Sequence, residues 1–357
     1  NLALPVTEYK AEPKSPTFTR YVAIDLGERG IGYAVFDAEN DERGRPRARV
    51  IAQEQVDPRF DRYIETAGYN SIVNQRQFQL PSFQWPTEYR RPDVTYRDRL
   101  DVLVGDLDLE LHHARGETDD ATWVWVPDRK VLCPGDLIIW CAPNAGNPQK
   151  VQRFAKDWAV ALRAMAGLGA ELLLPGHGLP IAGADDGARA GNAPPPCRAP
   201  SPAHTSALST GGPRLDDILH TVTPPDDLAS RPYLQPIYDE PEFIVRNVWR
   251  LYGGWYDGNP AHLKPAPDAA LAVEVATLAG GADVLARRAA ELAEAGDLRL
   301  AGHLAELATQ ADPGSPDAHR VRADVNEARA KAERSTMAKG VFRWAATESR
   351  ELAAPPG

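Results

Sequence analysis

Two kinds of segment alternate up to residue 182, and only one kind follows residue 213; this change limits what the chain can become. Before 183, short apolar runs of strand length are separated by turns rich in glycine and proline. After 213, apolar residues recur at helical spacing. Residues 183–213 are dense in Gly, Ala, Pro and Arg, a composition that reads as a flexible linker. The expected organisation is an α/β domain over 1–182, a linker over 183–213 and an all-α domain over 214–357.

Within the first part, residues 1–19 read as an extended arm and 20–37 as a β-hairpin across a Gly-Glu-Arg-Gly turn. A charged loop over 39–49 leads to a short strand at 50–52. A helix over 58–72 would place Arg62, Tyr63 and Asn70 along a cleft, and 78–98 read as loop rich in aromatics and proline. Strands are expected at 100–104, 107–112, 122–126, 130–132 and 137–140. Apolar residues at 151, 154, 158, 161, 162 and 165 predict a helix over 149–168, returning to a strand before His177. Strands and a returning helix fit half of an αβ/βα sandwich. In the second part, helices are expected at 215–222, 242–252, 268–279, 283–295, 298–311, 316–333 and 335–350. Asp297 and Ser315 are the candidate N-caps. Their Ala-rich faces suggest a layer of paired helices like tetratricopeptide repeats, although no true repeat is present.

A hydrophobic content of 43% suffices for ordinary cores, and the net charge of −10 argues against a nucleic-acid-binding surface. Cysteines at 133, 141 and 197 form no spaced pattern, so a reducing compartment and buried thiols at Cys133 and Cys141 are expected. No apolar run reaches the roughly 20 residues of a membrane span. The first residues do not read as a signal peptide, and the expected location is the cytoplasm.

Glu117, Asp136 and His177 each lie on a glycine-rich turn beside an apolar, strand-like run. Strands fix the backbone and glycine lets the loops bend, so two carboxylates and an imidazole could converge as a ligand set suited to zinc. His112 and His113 end a strand, where packing or support of such a site is the simpler role.

These residues sit in a run of sequence words that resembles one family. The words are Ala67-Gly-Tyr-Asn-Ser, Trp85-Pro-Thr-Glu-Tyr-Arg, Ala114-Arg-Gly-Glu-Thr-Asp-Asp, Asn144-Ala-Gly-Asn-Pro-Gln-Lys, Pro175-Gly-His-Gly, Tyr238-Asp-Glu-Pro-Glu-Phe and Gly254-Trp-Tyr-Asp-Gly-Asn-Pro. From about residue 43 to 350 the chain resembles the alkylsulfatase branch of the metallo-β-lactamase superfamily. The resemblance implies a metallo-β-lactamase-like αβ/βα sandwich followed by an all-α dimerisation domain, and a homodimer. It also implies two zinc ions per chain and hydrolysis of primary alkyl sulfate esters. Glu117, Asp136 and His177 would be metal ligands, with Asp136 bridging the two ions. A sulfate ester needs fixed cations and donors as charge moves to the ester oxygen, which points to Lys150, Arg153 and Tyr256 as substrate-binding residues. Aromatic loops at 83–96 and 249–256 could line a channel for the alkyl tail.

Two departures accompany the resemblance. The family's His-x-His-x-Asp-His motif is replaced by the stretch from Tyr21 to Phe36, which holds no histidine. The family's long helix is replaced by the linker at 183–213. A non-catalytic dimeric relative is therefore an alternative reading. A third comes from Tyr-Val-Ala-Ile-Asp25-Leu-Gly-Glu-Arg-Gly-Ile-Gly-Tyr, which resembles the first hairpin of an RNase H-like (RuvC-type) nuclease. There Asp25 would hold magnesium.

Overall fold

The computed structural model describes residues 21–24, 33–40, 46–104, 106–183, 214–221, 223, 224, 226 and 230–354. Side chains before residue 50 are not among the described features, and Asp25, Cys197, the expected arm over 1–19 and all of the expected linker but Gly183 lie outside the described residues.

Two sheets form the first part. Strands β1 (Tyr21–Ile24), β2 (Tyr33–Asn40), β3 (Pro46–Gln53) and β4 (Val94–Tyr96) make one sheet in that order, with β3 and β4 parallel. The two strands of the expected hairpin pair antiparallel, with Tyr21 opposite Phe36, and the Gly-Glu-Arg-Gly turn lies outside the described residues. Of the expected loop at 39–49, residues 39 and 40 end β2 and 46–49 open β3, which pair antiparallel with a register shift between Asp37 and Asn40, while 41–45 lie outside the described residues.

The second sheet runs β10-β9-β8-β7-β6-β5, built from β5 (Arg99–Val104), β6 (Leu107–His113), β7 (Thr122–Val126), β8 (Val131–Ile139), β9 (Leu172–His177) and β10 (Ile181–Ala182). Only β8 and β9 pair in parallel. The two strands expected at 130–132 and 137–140 are one strand. Pro134-Gly135 reads as a break, yet Gly135 takes φ +56° and the ladder shifts register around it, absorbing the irregularity as a bulge.

Every residue of β7 is buried, because both faces of this sheet are covered. Val124 and Val126 pack with Leu109, Leu111 and Cys133 against Ile51 and Tyr96 of the first sheet. Trp123 and Trp125 face the other way, toward Trp158, Ala161 and Met165 of helix α3 (Ala155–Ala166). Alternation along one strand thus builds two cores. This is the sandwich expected from sequence.

The helix expected over 58–72 is two helices, α1 (Val56–Glu65) and α2 (Ala67–Phe78). Thr66 separates them: its N–H and hydroxyl both bond the Arg62 carbonyl, and its Oγ1 accepts from Asn70. Asn70 is buried in these bonds rather than exposed along a cleft. Helix α3 starts six residues later than expected, because 149–154 form a loop with other partners.

The rest is helical: α4 (Leu215–Thr221), α5 (Pro241–Gly253), α6 (Pro260–Leu263), α7 (Asp268–Ala279), α8 (Ala282–Glu294), α9 (Leu298–Ala311), α10 (Pro316–Ala332) and α11 (Thr336–Ala353). Ala289, Ala301, Ala305 and Val325 are buried where α8, α9 and α10 meet, so small side chains set the close helix spacing. Asp297 and Ser315 both cap their helices, accepting from the N–H groups of Leu300 and Ala318. Helix α11 also packs on α2 of the first part. The Gln79 amide donates to the Gly340 carbonyl (2.8 Å), and a side chain at 340 would land on the Gln77 carbonyl.

Candidate active site

Glu117 sits in the loop between β6 and β7, and a network fixes that loop. Gly116 leaves no room for a side chain, since a Cβ would fall on Leu137 and Trp158. Arg59 of α1 binds Asp119 and Asp120 at 2.6 and 2.5 Å, and Thr118 donates to Asp120. Burial raises the pKa of Asp120. At Asp119 burial is outweighed by the Arg59 contact, and that carboxyl is lowered. The Glu117 carboxylate accepts from the Asn144 amide and lies 3.2 Å from Arg153, whose guanidinium also donates to the Glu117 carbonyl.

Asp136 and His177 come together by a different route. The parallel pairing of β8 and β9 sets Gly135 opposite Pro175 and Ile139 opposite His177. Asp136 Oδ1 is then 3.5 Å from His177 Nε2. Both glycines around His177 are required: a Cβ at Gly176 would strike the Asp136 carboxylate, and one at Gly178 would strike the Trp140 ring. Gly178 also takes φ +107°, which side chains rarely adopt. A carboxylate facing a half-exposed imidazole can hold or pass a proton.

Lys150 and Arg153 belong to the loop over 144–154. The Lys150 ammonium lies 5.3 Å from the centre of the Trp85 ring. Trp85 in turn meets Tyr63 and Phe83 edge-on, and Tyr89 stacks on Phe60. Tyr256 follows α5 and offers its carbonyl to the Trp249 indole. His112 stacks on Trp123 at 4.0 Å and pairs with Glu110, while His113 bonds the Ala121 carbonyl, so both are packing residues.

The sequence reading singled out Lys150 and Arg153 in the 144–154 loop but missed the roles of Asn144, Asn147 and Gln149 beside them. Asn144, Asn147 and Arg153 are almost fully buried, and three side-chain nitrogens there have no protein partner: Asn147 Nδ2, Gln149 Nε2 and Arg153 Nε. Buried donors of this kind normally find acceptors. It also missed Asp239, which is fully buried and accepts from the N–H groups of Gly146 (2.5 Å) and Glu240 (2.7 Å). The cues were the density of amides in Asn144-Ala-Gly-Asn-Pro-Gln and the family word Tyr238-Asp-Glu-Pro-Glu-Phe, neither of which assigns a role to these residues.

Two family models match the chain, that of the metallo-β-lactamase superfamily over residues 60–177 and that of alkyl sulfatase dimerisation over 214–351. The chain belongs to the alkylsulfatase branch of the metallo-β-lactamase superfamily. A linear primary-alkylsulfatase from Pseudomonas sp. (strain ATCC 19151) is 26% identical over 65% of this chain and 44% of that protein. The alkyl/aryl-sulfatase BDS1 of Saccharomyces cerevisiae is 32% identical over 31% of this chain and 17% of its own length. In fold, the chain matches the stereoselective inverting sec-alkylsulfatase Pisa1 from Pseudomonas sp. with a TM-score of 0.77. The sequence identity is 23%, covering 85% of this chain and 52% of that one. The match thus spans about half the length of the two Pseudomonas relatives and a smaller part of the yeast one.

Membership in this superfamily implies metal ions, typically zinc. Among the described residues, no three of His, Cys, Asp and Glu gather as a group able to hold one. Asp136 and His177 offer two donors, while the third expected ligand, Glu117, is engaged by Arg153 and Asn144. A zinc ion takes at least three protein ligands. The described donors therefore do not fit a two-zinc centre.

Proposed function

We propose that this chain is a hydrolase-type protein for primary alkyl sulfate esters, acting as a homodimer, with the 144–154 loop as its sulfate site. The observation that carries the reading is the trio of buried, unsatisfied donors at Asn147, Gln149 and Arg153, in the same loop as the Lys150 ammonium. A sulfate ester's peripheral oxygens are acceptors only and carry negative charge, so they complement such donors. The aromatic group of Tyr63, Phe83, Trp85 and Tyr89 beside Lys150 supports an apolar tail in the substrate. Tyr256 is proposed as a further hydroxyl donor to the substrate. The helical region supports the dimer, because Leu271, Val273, Leu278 and Leu300 are exposed in the segment matched by the dimerisation model.

A second reading, a dimeric relative that binds sulfate esters without cleaving them, is favoured by the engagement of Glu117 and by the unfilled donor count around Asp136 and His177. One experiment separates the two. Metal content is measured on purified protein, binding of decyl sulfate is measured by calorimetry, and sulfate release is followed with and without added zinc. Binding with release supports the hydrolase; binding without release supports the second reading; absence of binding overturns both.

A further inference from the structure

The loop proposed to bind sulfate is held largely from outside its own domain. At one end, Gly146 lies so close to the first turn of α5 that a Cβ would fall on the backbone of Phe243 and Ile244. Its N–H is taken by Asp239, whose other oxygen takes the Glu240 N–H that opens the same helix. At the other end, Asn247 of α5 accepts from Gln152 Nε2 (3.1 Å) and donates to the Arg153 carbonyl (3.0 Å). Arg250, one turn on, donates to Gln152 Oε1 at 3.0 Å.

A fully buried carboxylate is costly unless its environment needs it. Asp239 accepts one N–H at each oxygen, and Arg153 is the cation that most favours its charged form. Resting on the sulfate-site reading above, we infer that Asp239 and Asn247 are positioning residues: they set the shape of the 144–154 loop, so the dimerisation region also determines how well the first domain holds its anion. Neither side chain need touch the substrate. Asp239 fixes Gly146, and Asn247 fixes the backbone of Arg153, whose guanidinium reaches Glu117.

The test uses the full chain and two probes, inorganic sulfate and decyl sulfate. Asp239→Asn turns an amide donor toward one N–H, and Asn247→Ala removes the bonds to Gln152 and to the Arg153 carbonyl. Each is expected to weaken both probes by on the order of tenfold. Val325→Ala, buried in the layer of α8 to α10 and remote from the loop, controls for lowered stability and should leave affinity unchanged. Asn247→Asp keeps the acceptor and loses the donor, so an intermediate loss is expected; it also serves where Asp239→Asn does not fold. Folded variants at 239 and 247 that bind as tightly as wild type overturn the inference. Wild type that binds neither probe overturns the sulfate-site reading instead. The positioning claim is then read from amide exchange, which should accelerate at Gly146 in Asp239→Asn and not in Val325→Ala; unchanged exchange overturns it.

Discussion

Arg153 grips Glu117 twice, at its backbone carbonyl and, 3.2 Å away, at its carboxylate. Arg153 is almost wholly buried, and its partner is largely so. Removing one member of such a pair leaves a buried charge without compensation. Arg153→Met should lower folding stability by about 3 kcal/mol. Urea denaturation checks this, and a loss no greater than that of a surface substitution would mean that Glu117 is solvated by other means.

The turn around His177 makes a second expectation. Gly178→Ala adds a methyl group where the Trp140 ring already lies, on a backbone at φ +107°. Overpacking and strain together should cost about 2–3 kcal/mol. Ala at Gly183 is the comparison, because it has a similar φ of +109° and open space around it. The difference between the two melting points isolates the Trp140 clash.

Stability should fall as pH rises toward neutrality. Burial pushes the Asp239 carboxyl from the usual carboxylate range up to about 7, against its two N–H donors and Arg153, with Glu240 adding to the rise. Burial, Glu333 and Glu242 push Glu240 to about 7 as well. Between these limits the folded protein keeps protons that the unfolded chain releases. Stability is therefore greatest at the acidic end of the window and is lost as pH climbs through 7. Asp239→Asn should flatten its share of that slope, read from urea midpoints between pH 5 and 8.

Leu278 is 88% exposed at the end of α7. A leucine so placed in the dimerisation region is expected to be covered by a second copy. Leu278→Asp should shift the mass seen by light scattering from dimer to monomer without changing the helical signal. A dimer that survives the substitution would put the interface on another face.

Legibility in the sequence followed the range of the interactions. The last five helices were readable nearly to the residue, because apolar periodicity and the caps at Asp297 and Ser315 are local signals. The split at Thr66 was missed, since both flanking helices continue the same pattern and only a hydroxyl interrupts them. Bounds at 149–154 failed for the same reason in reverse. Those residues have helical spacing but spend their hydrogen bonds on Asn247 and Arg250, nearly a hundred positions away. Glu117, Asp136 and His177 were recognisable as chemistry on glycine turns. That Arg153 and Asn144 would claim Glu117 was not, because nothing near it in sequence announces them.

The contact of Gly340 with the Gln77 carbonyl has a final consequence. There the C-terminal helix touches the strand-bearing half of the chain backbone to backbone, and Gln77 also reaches Tyr238 at 2.7 Å. Peeling away the last helix would strip α2 of its cover and bare polar groups that have no other shelter. The two halves are therefore expected to melt as one cooperative unit, seen as a single transition when unfolding is followed by both the helical signal and tryptophan fluorescence.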